Sequence, residues 1–131
     1  MEFTDVKVIG ADREHIAKDP TLANAFKCPF ILSVKPDDLW VKFLHHSYRM
    51  SSFSKKRQYS VVDNQVILTI FHDDHIQAQL DFLKELVIAA NEEYQRLLQR
   101  KIEEKLEEEA RKKREQETIQ RLREEIDKIR F

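Results

Sequence analysis

Apolar and polar residues in the first part of the chain follow patterns that predict short strands and helices in alternation. Residues 3–9 are β-prone, and residues 30–34 form the short apolar run that is typical of a buried strand. Between them, residues 12–26 contain two short helical candidates separated by Pro20, with Asp19 and Thr21 as candidate helix caps. This stretch of the chain therefore predicts β-α-β.

A helix and a β-hairpin follow. Asp37 is placed as an N-cap, and Trp40 and Leu44 follow it at helical spacing. Two β-rich runs, 58–62 and 66–71, are joined by Asp63, Asn64 and Gln65, which are residue types that tolerate turn conformations. The pattern predicts a hairpin late in the chain.

A long helix is predicted from residue 75 onward. Asp74, followed three residues later by Gln77, resembles a capping box. Apolar residues then recur at steps of four and three along one helix face. They are Ile76, Leu80, Leu83, Val87, Ala90, Tyr94 and Leu97. No glycine or proline interrupts the chain between Ile76 and Phe131, so the helix is expected to continue into the C-terminal segment.

Composition divides the chain near residue 98. Residues 1–98 hold 11 of the 12 aromatic residues, whereas 21 of the 33 residues in 99–131 are charged. A core requires large apolar side chains, so only the first part is expected to fold as a globule. We predict an α+β fold, in which a head (1–98) has a small sheet with a late hairpin covered by helices. A long charged helix (99–131), resembling a coiled-coil rod, follows it.

The charged helix has its own apolar seam. Ile119, Leu122, Ile126 and Ile129 follow a 3-4-3 spacing, but the seam is offset from the one that begins at Leu80, as in a coiled-coil stutter. Acid-first ion pairs such as Glu108–Lys112 support the helix between the two seams. The segment could therefore be a solvated helix or part of a coiled coil.

Self-association is the expected use of these apolar stripes. The acidic run 103–109 directly precedes the basic run 111–114, so an antiparallel pair centred near Ala110 would set opposite charges together. A homodimer is predicted, with seven candidate contact residues. They are Leu80, Leu83, Val87, Ile119, Leu122, Ile126 and Ile129.

A basic and aromatic patch within residues 42–59 is the second candidate for a partner or nucleic-acid site. Its candidate residues are Lys42, His45, Arg49, Lys55, Lys56, Arg57 and Tyr59. Such a patch could bind single-stranded nucleic acid, although the formal net charge of the chain is only -1. Alternatively, the cations guard the edge of a sheet or face an acidic run of another subunit.

Catalytic and metal-binding patterns are weak. His72, Asp73, Asp74 and His75 have metal-ligand side chains, but the spacing supplies no further ligands, and a capped helix start explains them equally well. His45 and His46 lack an orienting group, and Cys28 is expected to be an inert thiol. With one glycine, the chain has no glycine-rich phosphate-binding loop. We therefore predict no catalytic residue, metal, cofactor or small-molecule substrate.

The function that fits best is a non-enzymatic interaction or assembly module, with the head docking another protein and the long helix mediating oligomerisation. The alternative is a small nucleic-acid-binding accessory protein that uses the patch at 42–59. The chain shows no secretory signal or apolar span, and its single cysteine fits a reducing compartment, so we expect a cytoplasmic protein without a membrane partner.

Overall fold

The computed structural model describes residues 3–131 and has the predicted α+β fold, with a small antiparallel sheet, one short helix and one long C-terminal helix. The strands are β1 (Val8–Ala11), β2 (Ala17–Lys18), β3 (Ala25–Leu32), β4 (Tyr59–Val62) and β5 (Gln65–Phe71). The helices are α1 (Asp38–Met50) and α2 (Ile76–Asp127). The chain divides into two compact units, a first unit that ends at Gln95 and a second unit from Arg96 to Phe131.

The sheet is antiparallel throughout, with the order β1-β3-β5-β4. The short strand β2 also pairs with β3, and because β5 occupies one side of β3, β1 and β2 share the other side. The longest ladder joins β3 to β5, from Ala25 opposite Phe71 to Ile31 opposite Gln65. The hairpin strand β4 therefore forms one edge of the sheet.

The core of the first unit lies on one face of this sheet. Val66, Leu68 and Ile70 alternate along β5 and are buried, as expected for a strand with one covered face. From α1, Trp40 and Leu44 are fully buried. The buried apolar residues of α2 recur at helical spacing and complete the core. They are Phe82, Leu83, Leu86, Val87, Ala90 and Tyr94.

The N-terminal strand is shorter than predicted, because a side chain replaces its strand partner. Asn91 of α2 accepts a hydrogen bond from the backbone N–H of Val6 and donates one to the carbonyl of Val6. The same Asn91 oxygen accepts the indole N–H of Trp40 at 2.9 Å. The prediction of a strand over residues 3–9 was therefore wrong for residues 3–7, and β1 begins only at Val8.

The prediction of two helices within residues 12–26 was also wrong. The segment contains one 3₁₀ turn at Arg13–His15, the short β2 and the beginning of β3. The Asp19 carboxylate accepts the backbone N–H groups of Thr21 and Leu22, which closes a turn instead of capping a helix. The same two bonds help to lower the pKa of Asp19.

The helix at Asp37 and the hairpin are confirmed. The Asp37 side chain accepts the N–H of Trp40 at 2.8 Å, and α1 follows it. β4 and β5 pair directly across Asp63 and Asn64, so the loop has two residues instead of the predicted three, and Asp63 adopts a positive φ of 53°.

The long helix begins where predicted but with a different cap. The His75 Nδ1 atom accepts the backbone N–H of Ala78, three residues on, at 3.2 Å. Asp74 does not form the predicted capping box, because its carboxylate binds Arg57 and the N–H of Phe71.

The second unit consists of the C-terminal part of α2 and the few residues that follow the helix. Every residue from 101 to 131 is exposed. Among the residues that the structure describes, neither helix combines the length and the apolar character that crossing a bilayer requires.

Candidate functional site

The basic and aromatic patch folds around a shallow cleft of about 330 Å³ in the first unit. The cleft is lined by residues of α1, of the start of β4 and of the segment before it. They are His45, Tyr48, Arg49, Gln58 and Tyr59. Helical spacing brings His45, Tyr48 and Arg49 to one side of α1, next to the edge strand. The structure therefore brings together three of the predicted patch residues, His45, Arg49 and Tyr59.

The aromatic rings in and around the patch contact one another. The Tyr59 hydroxyl and His45 Nδ1 are 2.6 Å apart and share a hydrogen bond, and burial raises the pKa of the Tyr59 phenol. Tyr48 packs edge-on against Tyr59 with ring centroids 5.0 Å apart. Phe53 stacks on Phe82 at 4.4 Å. These aromatic faces are partly occupied, which leaves less free surface for base stacking than the sequence indicated.

The cations of the patch have different surroundings. Lys42 and Lys55 are exposed. The Lys56 ammonium lies 5.2 Å from the centre of the Tyr48 ring and 3.4 Å from the carbonyl oxygen of Arg49. Arg49 lines the cleft.

Arg57 forms a salt bridge within the first unit. Its guanidinium donates two hydrogen bonds to the Asp74 carboxylate, at 2.5 and 2.8 Å, and lies over the ring of Phe71. Only 4% of the Asp74 side chain and 24% of the Arg57 side chain are exposed. The hydrogen bonds from Arg57 lower the pKa of Asp74, and the same pairing raises the pKa of Arg57. Arg57 is therefore a structural residue that links the segment before β4 to the turn before α2.

The residues considered for metal binding and nucleophilic chemistry do not form a site. Within residues 3–131, no group of three or more histidine, cysteine, aspartate or glutamate side chains is arranged to hold a metal ion. His75 caps α2, and Asp74 binds Arg57. Cys28 lies within β3 opposite Leu68, where burial raises the pKa of its thiol, so the reactive thiolate is disfavoured.

The predicted contact residues for oligomerisation fall into two sets. Leu83 and Val87 are buried in the core of the first unit, and Leu80 is half-buried there. By contrast, four residues of the second unit are between 42% and 54% exposed. They are Ile119, Leu122, Ile126 and Ile129. The structure therefore leaves this second set accessible to a partner.

Ion pairs line the helix of the second unit before this apolar stripe. Glu108 contacts Lys112 at 3.8 Å, which is the predicted acid-first pair. Arg111 donates to both Glu108 and Glu115, at 2.6 and 2.7 Å. The pKa of Glu108 is lowered, chiefly by the hydrogen bonds from Arg111. These contacts support the helix while its apolar residues remain exposed.

Comparisons of the chain with protein-family models, curated proteins and solved structures find no match. Any functional assignment therefore depends on the residues themselves.

Proposed function

We propose that the protein is a non-enzymatic assembly module that forms a homodimer through the exposed helix of its second unit. One observation carries the proposal. Ile119, Leu122, Ile126 and Ile129 recur at the 3-4-3 spacing of a coiled coil, yet each is at least 42% exposed. Burying apolar surface contributes roughly 25 cal/mol per Å², so packing a second helix on this stripe is favourable.

A second copy of the chain is the partner that the charges favour. The acidic run 103–109 is followed by the basic run 111–114, so each chain carries both halves of a complementary pair. Two antiparallel copies place the acidic run of one chain beside the basic run of the other. The formal net charge of -1 adds little repulsion between copies.

The association can be tested by light scattering and analytical ultracentrifugation over a range of protein concentrations. We expect a dimer in the parent protein. Replacing Ile119, Leu122, Ile126 and Ile129 together with serine should shift the protein towards the monomer, because the stripe loses its apolar surface.

A matched pair of single variants separates the stripe from general apolar exposure. Leu106 and Leu122 are both exposed leucines of the second unit, at 59% and 45%. Sixteen residues separate them, which is about 160° around a helix, so they lie on opposite sides. Leu122→Ser should weaken the dimer, whereas Leu106→Ser should leave it unchanged. A parent protein that sediments as a monomer at every concentration would rule the proposal out.

A further inference from the structure

The exposed helix has a single heptad frame that extends beyond its apolar stripe. Counted in sevens from Leu98, the a positions continue through the basic part of the helix to Ile119 and Ile126, and the d positions continue to Leu122 and Ile129. Over residues 98–122, the a positions are Leu98, Lys105, Lys112 and Ile119, and the d positions are Lys101, Glu108, Glu115 and Leu122. The middle of the seam therefore has lysine at a and glutamate at d.

This arrangement distinguishes the two possible orientations of a pair. In a parallel, in-register dimer, a faces a and d faces d, so Lys105 and Lys112 would each meet their own copies. Glu108 and Glu115 would do the same. In an antiparallel dimer, a faces d, so lysine meets glutamate instead. Like charges placed directly together cost free energy, whereas opposite charges select a register.

We infer that two copies of this chain pair antiparallel over residues 98–122, with the helices centred on Ala110. Each residue then faces the residue equally far on the other side of Ala110. Lys112 faces Glu108, and Lys105 faces Glu115, in each of the two symmetry-related positions. At the ends of the overlap, Leu98 faces Leu122. The inference rests on the proposed function and adds the orientation and register of the dimer.

Neighbouring registers are poorer. Sliding one helix by a heptad halves the number of Lys–Glu layers, and it sets Lys101 against Lys112 or Glu108 against Ile119. The seam available for pairing also ends at Leu98, because the seam positions before it are buried in the first unit. The next seam positions towards the N-terminus are Tyr94 and Asn91, and both are buried.

The remaining layer and the flanks are compatible with this register. Ile119 faces Lys101, whose aliphatic stem can cover it while the ammonium reaches water. At the flanking positions, the Arg111 residues of the two chains lie near each other. Each Arg111 is already bound by Glu108 and Glu115 of the same chain. We therefore expect a dimer of modest affinity, because charged residues at a and d favour specificity over stability.

Charge reversal in the full chain tests the register. We expect K105E/K112E, and separately E108K/E115K, to raise the dimer dissociation constant at least about tenfold, because each change sets like charges at facing positions. The control is K113E/R114E, which makes the same change in net charge as K105E/K112E but at outward-facing positions, and it should leave the constant nearly unchanged. Circular dichroism of each variant checks that α2 remains helical.

Mixing the two reversed variants separates contacts between chains from effects within one chain. Each variant keeps its own altered intrachain pairs, so only facing charges on the partner can restore binding. Native mass spectrometry should detect a heterodimer of K105E/K112E with E108K/E115K that is about as tight as the parent dimer.

Two further outcomes would overturn the inference. If the parent dimerises and neither charge-reversed variant weakens it, the antiparallel register is wrong while the proposed dimer stands. The same holds if Ile126→Ser with Ile129→Ser abolishes the dimer, since those residues lie outside the paired region and would then have formed a tail-to-tail contact. A monomeric parent would instead refute the proposed function itself.

Discussion

At the scale of single residues, two polar side chains join segments that are distant in sequence. Asn91 binds both backbone groups of Val6 and the Trp40 indole, and Arg57 binds Asp74. The sequence contained a partial signal for Asn91, which follows Val87 at a four-residue step and so lies on the apolar face of α2. A polar residue on a buried face indicates an internal partner, but it does not say which one.

The Arg57–Asp74 pair was missed for a different reason. Arg57 belongs to a run of cations, and Asp74 precedes a helix, so each residue has a common local explanation. The pairing depends on how the hairpin places the segment before β4 near the turn after β5, and this is a property of the fold. As a result, one of the candidate nucleic-acid contacts is a structural residue.

Asp74→Asn should lower the free energy of unfolding of the first unit by about 1.5–3 kcal/mol, the range for hydrogen bonds to charged groups. Because the pKa of Asp74 is lowered in the folded protein, its contribution is complete above the ordinary value of 3.8. The contribution is lost as the pH falls through the lowered value. Chemical denaturation at neutral pH and at decreasing acidic pH measures both effects.

The neighbouring carboxylate provides the control for this prediction. Asp73 is exposed, so Asp73→Asn should change the free energy of unfolding by less than about 0.5 kcal/mol. A difference between the parent and Asp74→Asn that persists undiminished at strongly acidic pH would contradict the assigned role of the carboxylate.

At the scale of elements, local patterns predicted the structure where the chain follows a regular period. The hairpin, α1 and α2 have clear alternation or helical spacing, and the structure contains all three. Residues 12–26 have no such period. There, backbone groups are satisfied by a side chain, that of Asp19, and by pairing with β3, neither of which a local helix pattern anticipates.

The two ends of helix α2 differ in burial. Its buried residues end at Tyr94, and every residue from 101 onward is exposed. Leu97 and Leu98 are still half-buried, and every residue after them is exposed, so apolar burial along α2 ends at Leu98.

A chain that ends at Leu98 should therefore keep a cooperative thermal transition. We expect its melting temperature, followed by circular dichroism at 222 nm, to lie within a few degrees of that of the full chain. The comparison requires dilute protein, because dimerisation would raise the apparent stability of the full chain alone. Loss of the transition in the shorter chain would mean that residues after Leu98 contribute to the core.

At the scale of the whole molecule, charge is nearly balanced overall but unevenly distributed. The formal net charge is -1, while the second unit carries adjacent acidic and basic runs. This distribution of charge along the chain could be predicted fully from the sequence, because counting charged residues requires no knowledge of the fold. It did not predict which cations of the patch remain free, since that depends on contacts such as Arg57 with Asp74.

The same contacts give an expectation for nucleic acid. Arg57 is engaged by Asp74, Lys56 lies against Tyr48, and the ring of Tyr48 packs against Tyr59. We expect labelled single-stranded oligonucleotides to show no salt-sensitive binding by fluorescence anisotropy, because few cations and aromatic faces are left to contact a phosphate backbone and its bases.

Variants of the remaining cations of the patch test this expectation. Lys42, Arg49 and Lys55 can be reversed to glutamate while Arg57 and Asp74 stay unchanged, and circular dichroism of the variant checks that the fold is retained. If these three cations held phosphates, the parent would bind with a salt slope of roughly two, the value for three contacts on a single strand, and the variant would lose that slope. K113E/R114E, which changes cations outside the patch, would then keep it. That combination would establish nucleic-acid binding at the cleft, whereas a flat response in all three proteins would contradict a nucleic-acid function for the patch.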